Sequence, residues 1–419
     1  MAITRRSALL ALIAAIAVAL RLVWLDYPDK HIFDEAHYVP SARHFAGSIE
    51  HPGMGAWDKH EIVGKCPDRN FYHPPLGKFI YASGIMAFGD SRASMRVIAV
   101  GLGLLSLVVF YFISRELFEE QRYALGSTAA YSFSYLHLVH SRAAMLESII
   151  LLFMEVAVLA ALKLRASEKL NVRWALIAAL ALAVVMSTKY SNMFVCFVFA
   201  ASIFFFSKLP KKVSFGILVA LAVTTILAML SWSLWYMSHG YTFSEWIELR
   251  RISIEKLSTP MKFHRYGSSP IEWLVNHRPI WYFFDKAGPD TLFGIIGFMN
   301  PIILFSALGA IPILLWQLIK KKRFEDFVPL VWFALMYLPL IYILRNRQGF
   351  IYYMTLAIPA MVLMGTRAAY YLEQLRFGRK SLSIYVTLCA VALLLALPVL
   401  IGLPFNHWYY YKLILLAPP

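Results

Sequence analysis

The sequence predicts an all-α protein that crosses a membrane many times, and its composition and apolar runs are the basis of this prediction. Of its 419 residues, 60% are hydrophobic and only 15% are charged, and the mean hydropathy is +0.61. A soluble domain of this size needs more charge to cover its surface. The composition therefore excludes an ordinary cytosolic enzyme, a disordered or collagen-like chain and a small disulfide scaffold.

The apolar runs predict the membrane-spanning helices. About eleven runs approach the length of about 20 residues that one span requires. They cover 7–25, 97–113, 123–140, 143–162, 174–188, 192–207, 214–237, 292–318, 327–344, 350–371 and 382–403. We expect residues 1–419 to form a single membrane domain. The first run could also be a signal peptide, but no small-residue cleavage site follows it and Arg21 interrupts its far end.

The distribution of Lys and Arg predicts the orientation of the chain. The net charge of +16 comes from 40 Lys and Arg against 24 Asp and Glu. Cytoplasmic loops of membrane proteins carry an excess of Lys and Arg, and most of the loops expected on the side of Arg5 and Arg6 are basic. These loops are 114–122, 163–173, 208–212, 320–323 and 376–380. We expect a cytoplasmic N-terminus and an outer C-terminus, in a plasma membrane or an ER-type membrane. Nucleic-acid binding is disfavoured because no basic stripe lies on a soluble domain.

Two long segments face outward in this topology. Residues 26–92 form the first extracytoplasmic loop and residues 238–291 form the second, and both are rich in Trp, Tyr, His and Pro. Long loops that are not simple tethers commonly carry function. Within the first loop, Leu76–Gly89 is apolar but too short to span a membrane. It predicts a helix that lies in the membrane interface.

An acidic pair, Asp34-Glu35, follows the first predicted span. Two adjacent carboxylates at the start of a helix can be a solvated pair that the helix dipole stabilises. A carboxylate just outside the bilayer is also well placed to act as a general base on a hydroxyl group. The spacing alone leaves both interpretations open.

The segment 73–78, His-Pro-Pro-Leu-Gly-Lys, begins the predicted interfacial helix. Proline is ordinary in a first helical turn, and a lysine at this position often extends its ammonium group toward water. The combination of His73 and Lys78 around two prolines is more specific than either feature, so we retain both residues as candidates for the site.

Several basic residues lie at the outer membrane face, against the usual distribution of positive charge. A single one of them could simply reach the interface with a long side chain. Several at one leaflet indicate an anionic ligand, and a lipid phosphate suits the hydrogen-bonding geometry of Arg and Lys. The residues concerned are Arg21, Arg96, Arg142, Lys189, Arg345 and Arg347.

The second outer loop contributes His264, Tyr266 and Trp273, followed by an aromatic segment that ends at Tyr282. These aromatic residues can form an interfacial belt, or they can cover a site and stack against a sugar ring. The first loop is rich in histidine, but no HExxH, HxH or paired-Cys pattern supports a zinc site. We therefore assign no metal ligand; a divalent metal is possible but not required by the sequence.

Taken together, Asp34-Glu35, the 73–78 segment, the stretch Ser141–Ser148 and the loop from His264 to Tyr282 resemble the protein O-mannosyltransferase family. This family, glycosyltransferase family 39, belongs to the membrane-embedded GT-C glycosyltransferases. The resemblance implies a GT-C fold of about eleven spans with interfacial helices in the first outer loop. It also implies a polyprenyl (dolichyl) phosphate-mannose donor and Ser or Thr hydroxyls of proteins as acceptors.

The resemblance further implies roles for individual residues. Asp34 becomes the catalytic base and Glu35 its acidic neighbour, with Arg21 and Arg96 as basic partners that we expect to lower the pKa of Asp34. With no evident enzyme nucleophile, a single displacement with inversion at C1 is expected. The cations expected to bind the donor phosphate are Lys78, Arg142, Lys189, Arg345 and Arg347.

The sequence departs from the family pattern in ways that leave the acceptor open. The second outer loop is too short for the β-trefoil insert of fungal members, and Glu147 replaces the usual Asp of the Met-Leu-Asp-Ser stretch. The same chemistry on a lipid or glycan acceptor, as in aminoarabinose transferases, is the main alternative. A membrane transporter is a second alternative, disfavoured because the charges cluster at one face and no internal repeat is present. The sequence leaves the sugar and the oligomeric state undetermined.

Overall fold

The computed structural model describes residues 5–54, 61–190, 208–259, 264–288, 290–375, 378, 380–406 and 409. Most of these residues are helical. The helices are α1 (Arg5–Leu22), α2 (Glu35–Phe45), α3 (Glu61–Gly64), α4 (Leu76–Phe88), α5 (Arg92–Leu117), α6 (Gln121–Ser132), α7 (Tyr135–His140), α8 (Leu146–Ala166), α9 (Val172–Thr188), α10 (Lys211–Ser238), α11 (Phe243–Ser258), α12 (Pro270–Trp273), α13 (Pro301–Lys321), α14 (Phe324–Ile343), α15 (Ile358–Glu373) and α16 (Ser381–Ile401). A 3₁₀ helix covers Ile351–Ala357. The strands are β1 (Ile280–Lys286), β2 (Thr291–Gly297) and β3 (Phe405–Asn406).

Five helices of the described part of the chain are long and apolar enough to cross a membrane: α5, α10, α13, α14 and α16. Their presence confirms the prediction of a mainly helical membrane protein. The predicted span over 192–207 lies outside the described residues. The helix predicted over Leu76–Gly89 is present as α4, and it ends at Gly89, whose φ of 82° stops the helix.

Two of the predicted apolar runs are each divided between two helical segments. The run 123–140 is interrupted at Phe133 and Ser134, between α6 and α7. The run 350–371 starts as the 3₁₀ helix and continues as α15. Hydropathy finds apolar segments, but it does not find the points where the backbone hydrogen-bond pattern changes.

The run 292–318 contains a strand, which corrects the all-α prediction. Its first residues form β2, which pairs antiparallel with β1 and with the short β3 in a three-stranded sheet. The helix α13 starts only at Pro301, where the side chain of Asn300 accepts a hydrogen bond from the N–H of Ile302 at 3.0 Å. An apolar run alone does not distinguish a buried strand from a helix.

The chain divides into two compact units. Unit 1 comprises Met1–Phe33, Gly103–Arg142 and Lys262–Pro419, and its helices α13, α15 and α16 pack together, with α16 also covering β2. Unit 2 comprises Asp34–Leu102 and Ala143–Met261. In unit 2, α2 packs on α4, and α8, α9 and α10 pack in sequence order.

The described part of the first predicted outer loop that belongs to unit 2 contributes to a buried apolar cluster. Val63, Cys66 and Phe71 of this loop pack against Tyr236 at the end of α10 and Leu249 of α11. The helix α11 begins with a capping box, in which Thr242 and Glu245 satisfy each other's backbone N–H groups. The loop is therefore held to α10 and α11 by apolar packing.

Candidate active site

The two adjacent acids at the start of α2 have different environments. Glu35 is buried, and it accepts hydrogen bonds from Nε of Arg96 at 3.1 Å and from Nη2 of Arg96 at 2.9 Å, one on each carboxylate oxygen. The backbone N–H of Ala144 donates a third bond to Glu35 at 3.0 Å. Because both of its oxygens are engaged by the protein, Glu35 joins α2 to α5 and to the segment before α8.

Asp34 is more accessible than its neighbour. It is partly exposed, and its Oδ2 accepts a hydrogen bond from the hydroxyl of Tyr38 at 3.2 Å. Within the described part of the chain, its Oδ1 receives no hydrogen bond. Of the two acids, Asp34 is thus the one with an oxygen available to a substrate hydroxyl.

The surroundings of Asp34 raise the pKa of its carboxyl group to about 6. The largest cause is burial, and the negative charge of Glu147 adds to it, while Lys189 and the Tyr38 hydroxyl act in the opposite direction. The sequence predicted Arg21 and Arg96 as the partners that lower this pKa. The structure instead pairs Arg96 with Glu35 and gives that role to Lys189.

Lys189 and Glu147 form an ion pair at the ends of two adjacent helices. Glu147 is in the first turn of α8 and Lys189 follows the last residue of α9. The Nζ of Lys189 lies 2.7 Å from Oε1 of Glu147, and the two side chains are 13% and 7% exposed. Glu147, which stands where the family stretch usually has Asp, is therefore one partner of a largely buried ion pair.

The 73–78 segment brings α4 close to this ion pair. A Cβ atom on Gly77 would lie 2.5 Å from Cδ2 of Leu146 and 3.0 Å from Cγ2 of Thr188, the residues that precede Glu147 and Lys189. The hydroxyl of Tyr81, one turn along α4, donates to the carbonyl of Met145. Gly77 is needed here because no larger residue allows this close approach.

Lys78, predicted as a donor-binding residue, is completely buried and bound to protein groups. Its ammonium donates to a carboxylate oxygen of Asp68, to the carbonyl of Asn70 at 2.9 Å and to the carbonyl of His73 at 2.8 Å. Asp68 also accepts from the hydroxyl of Ser41 at 2.9 Å. Three donors and three acceptors are thereby matched, and the loop before α4 is folded around Lys78.

His73 is buried, and its Nδ1 has no hydrogen-bond partner among the described residues. Burial, followed by the charges of Lys189, Lys78 and Arg250, lowers the pKa of His73 well below its usual value. The imidazole is therefore neutral at physiological pH.

Arg250 is a residue of this region that sequence reasoning missed. It lies on α11, with its Nη2 3.4 Å from the hydroxyl of Tyr236 and its guanidinium 5.3 Å from the centre of that ring. Its Nε is buried and has no hydrogen-bond partner among the described residues. Arg250 is four residues after the buried Trp246, so it lies on the same face of α11, but the burial of that face is not evident from the local sequence. The neighbouring Arg251 is exposed and pairs with Glu248.

Arg21 and Arg142 lie together in unit 1. Arg21 is fully buried, and its guanidinium bonds the carbonyl of Ala17 at 3.0 Å and Nδ1 of His137 at 2.8 Å. Arg142 donates to the carbonyls of Leu20 at 2.9 Å and of Arg21 at 3.0 Å, at the C-terminal end of α1. A cation at this end of a helix satisfies carbonyl groups that lack partners within the helix.

Arg345 and Arg347 follow α14, also in unit 1. Arg345 is exposed, with its guanidinium 4.5 Å from the centre of the Tyr342 ring. Gln348, directly after Arg347, accepts a hydrogen bond from the backbone N–H of His264 at 2.5 Å. The segment after α14 is therefore attached to the second predicted outer loop.

The predicted substrate-loop residues of unit 1 are part of the same connection. Tyr266 bonds through its N–H to Nδ1 of His264 at 3.2 Å. Trp273 is buried and donates from Nε1 to the hydroxyl of Ser268 at 2.8 Å, beside the bridge between Ser268 and Gly349. Trp273 has a packing role, whereas His264 and Tyr266 remain partly exposed.

An aromatic stack holds the residue before Asp34. The ring of Phe33 lies on the ring of Tyr282, with centres 4.6 Å apart and planes at 3°, and the N–H of Phe33 donates to the carbonyl of Tyr282 at 3.1 Å. Phe33 has a φ of 46°, which is strained for a residue with a bulky side chain. The hydroxyl of Tyr282 is in turn 2.6 Å from Nε2 of the buried His140.

Comparisons with known proteins identify the family. The model of the dolichyl-phosphate-mannose-protein mannosyltransferase family matches residues 11–239, a stretch that contains Asp34, Glu35, Arg96 and Lys189. The chain belongs to this family. The match confirms the resemblance seen in the sequence, and it covers all of the site residues described in unit 2 up to the end of α10.

Individual relatives agree with the family assignment. The chain is 24% identical to the polyprenol-phosphate-mannose–protein mannosyltransferase of Corynebacterium glutamicum, over 84% of this chain and 80% of that protein. Its fold is similar to that of the S. cerevisiae protein O-mannosyltransferase Pmt1-Pmt2 complex bound to the sugar donor. That match has a TM-score of 0.75 and 12% identity, and it covers 96% of this chain and 91% of the other.

A more distant likeness is to ArnT from Cupriavidus metallidurans bound to undecaprenyl phosphate, with a TM-score of 0.59 and 16% identity. This match covers 93% of this chain and 71% of the ArnT chain. These structures confirm the predicted GT-C fold. Within the described residues, no group of three or more His, Cys, Asp or Glu side chains is arranged to hold a metal ion.

Proposed function

We propose that this chain is an inverting glycosyltransferase that moves mannose from a polyprenyl-phosphate carrier to Ser or Thr hydroxyls of proteins. The observation that carries the proposal is the difference between the two adjacent acids. Glu35 is fixed by Arg96, whereas Asp34 keeps an open carboxylate oxygen and a pKa of about 6. Membership of the mannosyltransferase family supplies the donor and the acceptor class.

Asp34 is the general base of the proposed reaction. An aliphatic hydroxyl is a weak nucleophile, so a positioned carboxylate takes its proton as the new bond forms. The hydroxyl oxygen attacks C1 of mannose, the bond between C1 and the phosphate oxygen breaks, and the proton passes to Asp34. The products are the O-mannosyl protein and polyprenyl phosphate, and C1 is inverted because there is one displacement. A β-linked donor then gives an α-linked product.

The leaving phosphate gains negative charge and requires cations. In unit 2 we propose Arg250 for this role, because its Nε is buried without a partner among the described residues. The donor-phosphate role predicted from the sequence for Arg345 and Arg347 stays a prediction. The described hydrogen bonds of Arg21, Lys78, Arg96 and Arg142 go to protein groups, so we propose that these four residues support the site.

The proposed topology has about eleven spans, each of about 20 residues. The helix α4 lies in the interface, the N-terminus is cytoplasmic and the catalytic face is extracytoplasmic. Support comes from the basic loops on the side of Arg5 and Arg6 and from the five apolar helices that the described residues contain. Accessible-cysteine labelling in loops 163–173 and 238–291 of intact cells tests this arrangement.

The function itself is tested with purified protein in lipid nanodiscs. The enzyme is given a labelled polyprenyl-phosphate mannose and a Ser/Thr-containing peptide, and both the glycopeptide and the released polyprenyl phosphate are measured. Wild-type protein is expected to give both products in equal amounts. Release of polyprenyl phosphate with a glycan or lipid acceptor, and none with any peptide, would establish the alternative acceptor class. No release with any acceptor would overturn the proposed function.

A further inference from the structure

The ion pair of Glu147 and Lys189 lies at the end of a segment that is hydrogen-bonded to Glu35, the residue next to Asp34. The helices α8 and α9 pack against each other, so the start of α8 and the end of α9 are adjacent. The segment just before Glu147 is held at successive residues. Ala144 donates to Glu35, and Met145 accepts from Tyr81.

The packing of α4 adds to this constraint. Gly77 leaves no room between α4 and the residues that precede Glu147 and Lys189. Because a close-packed interior transmits small displacements, neither partner of the ion pair can move far without disturbing α4. The pair is therefore a rigid feature, unlike an ion pair on a flexible surface loop.

The charges of the pair act on Asp34 in opposite directions. Glu147 raises the pKa of the Asp34 carboxyl group and Lys189 lowers it. Among the described groups, Tyr38 of α2 is the remaining one that acts on Asp34, through its hydroxyl. The other ionisable groups of the neighbourhood are occupied elsewhere: Glu35 is bound to Arg96, Lys78 is bound to Asp68 and His73 is neutral.

Lys189 is poorly suited to bind a free ligand phosphate as a mobile cation. Its ammonium is 2.7 Å from a carboxylate, and its side chain is only 13% exposed. A phosphate would have to compete with Glu147 for the same charge. By contrast, a fixed cation close to Asp34 favours the ionised form of a general base.

We propose that Glu147 and Lys189 are a positioning pair for the base, in which Glu147 holds the Lys189 ammonium as the counter-ion of Asp34. This inference rests on the proposed function of Asp34 and assigns Lys189 to the base instead of the donor phosphate. When Asp34 takes the proton of the acceptor hydroxyl, it becomes neutral and Lys189 stays paired with Glu147. The site then resets when Asp34 releases that proton to water.

The test is the pH dependence of mannosyl transfer by the full-length enzyme in nanodiscs, at saturating donor, together with the donor KM. Lys189→Met is expected to move the acidic limb of the kcat profile to higher pH, by about one unit for the loss of one adjacent cation. Glu147→Gln is expected to move the limb to lower pH. Lys189→Arg is the matched control that keeps the charge, and its limb is expected to stay near that of the wild type. The donor KM should change little in all three variants.

Removing one partner leaves an unpaired charge, so a double variant protects the test against misfolding. The double variant Lys189→Met with Glu147→Gln removes both charges and is expected to fold. The acidic limb of its kcat profile is expected to lie between those of the single variants, and its donor KM should be unchanged. A raised donor KM in the double variant or in Lys189→Met, with no movement of the limb, would assign Lys189 to the phosphate and overturn the inference. If the wild type transfers mannose and the acidic limb of the kcat profile lies at the same pH in every variant, only this inference fails. If the wild type transfers no mannose, the proposed function fails first.

Discussion

Arg96 donates two parallel hydrogen bonds to Glu35, from Nε at 3.1 Å and from Nη2 at 2.9 Å. Both residues are buried in unit 2. This bidentate geometry is the strongest form of an arginine–carboxylate pair. It occupies one member of the acidic pair and leaves the other, Asp34, for chemistry. The two acids therefore respond differently to substitution.

Replacement of Asp34 by Asn should abolish transfer and preserve the fold. General bases contribute about 10²- to 10⁴-fold to the rate, and a loss of this size is expected in kcat, with donor binding largely intact. The matched variant is Glu35→Gln, which leaves the buried Arg96 without its anionic partner. That change should cost about 3–5 kcal/mol of stability. Turnover and thermal unfolding of both variants check the contrast, and near wild-type turnover of Asp34→Asn would remove Asp34 from the mechanism.

The pH dependence of transfer should show an acidic limb near the pKa of Asp34. Burial and Glu147 raise this pKa to about 6. Since the base must be deprotonated, kcat should be constant above pH 7 and fall as the pH decreases through about 6, whereas an ordinary Asp would lose activity only near pH 4. A kcat profile at saturating donor measures this limb. An acidic limb near pH 4 would show that the Asp34 carboxyl group is not shielded from water in the working enzyme.

Lys78 should behave as a structural residue. Lys78→Met removes the partner of the buried Asp68 and leaves two carbonyls unsatisfied, which should cost about 3–5 kcal/mol. The double variant Lys78→Met with Asp68→Asn should recover part of this loss because no buried charge remains unpaired. Thermal unfolding in detergent measures both. A stable Lys78→Met protein with a strongly raised donor KM would instead support the role in donor binding predicted from sequence.

Gly77→Ala should destabilise unit 2. The new Cβ would lie 2.5 Å from Leu146, and overpacking of this kind costs about 1–3 kcal/mol. Gly101→Ala is the matched control, because this glycine is also helical and a methyl group added to it would have no described atom within 4 Å. The control should be neutral or more stable by about 0.5–1 kcal/mol, since Ala is the better helix former. Equal unfolding temperatures for the two variants would argue against the close packing at Gly77.

Arg250 and Arg251 provide a matched pair for the donor phosphate. Loss of a hydrogen bond to a charged group costs about 1.5–3 kcal/mol, so Arg250→Gln should raise the donor KM by about 10- to 100-fold. Arg251→Gln removes an exposed residue that pairs with Glu248 and should leave the KM unchanged. Steady-state kinetics with varied donor measure both values. The same KM for the two variants would exclude Arg250 as a phosphate ligand.

Much of the candidate site was accessible from the sequence because charge near a membrane is costly and therefore conspicuous. Asp34, Glu35 and the 73–78 segment stood out in an apolar chain, and the helix α4 was predicted within one residue of its observed end. Arg250 did not stand out, because a basic residue on an amphipathic helix is ordinarily solvated. Nothing in the local sequence separates it from the exposed Arg251.

The membrane class, the family and the acidic pair followed from composition and short motifs, which can be read before the fold is known. The partner of each charge became evident only in the folded chain. Lys78 is bound to Asp68, Lys189 to Glu147 and Arg96 to Glu35, whereas the sequence assigned these cations to the donor phosphate or to Asp34. The reason is physical: an ion pair forms between side chains that folding brings within about 4 Å, and the separation of 42 positions between Glu147 and Lys189 along the chain gives no indication of that distance.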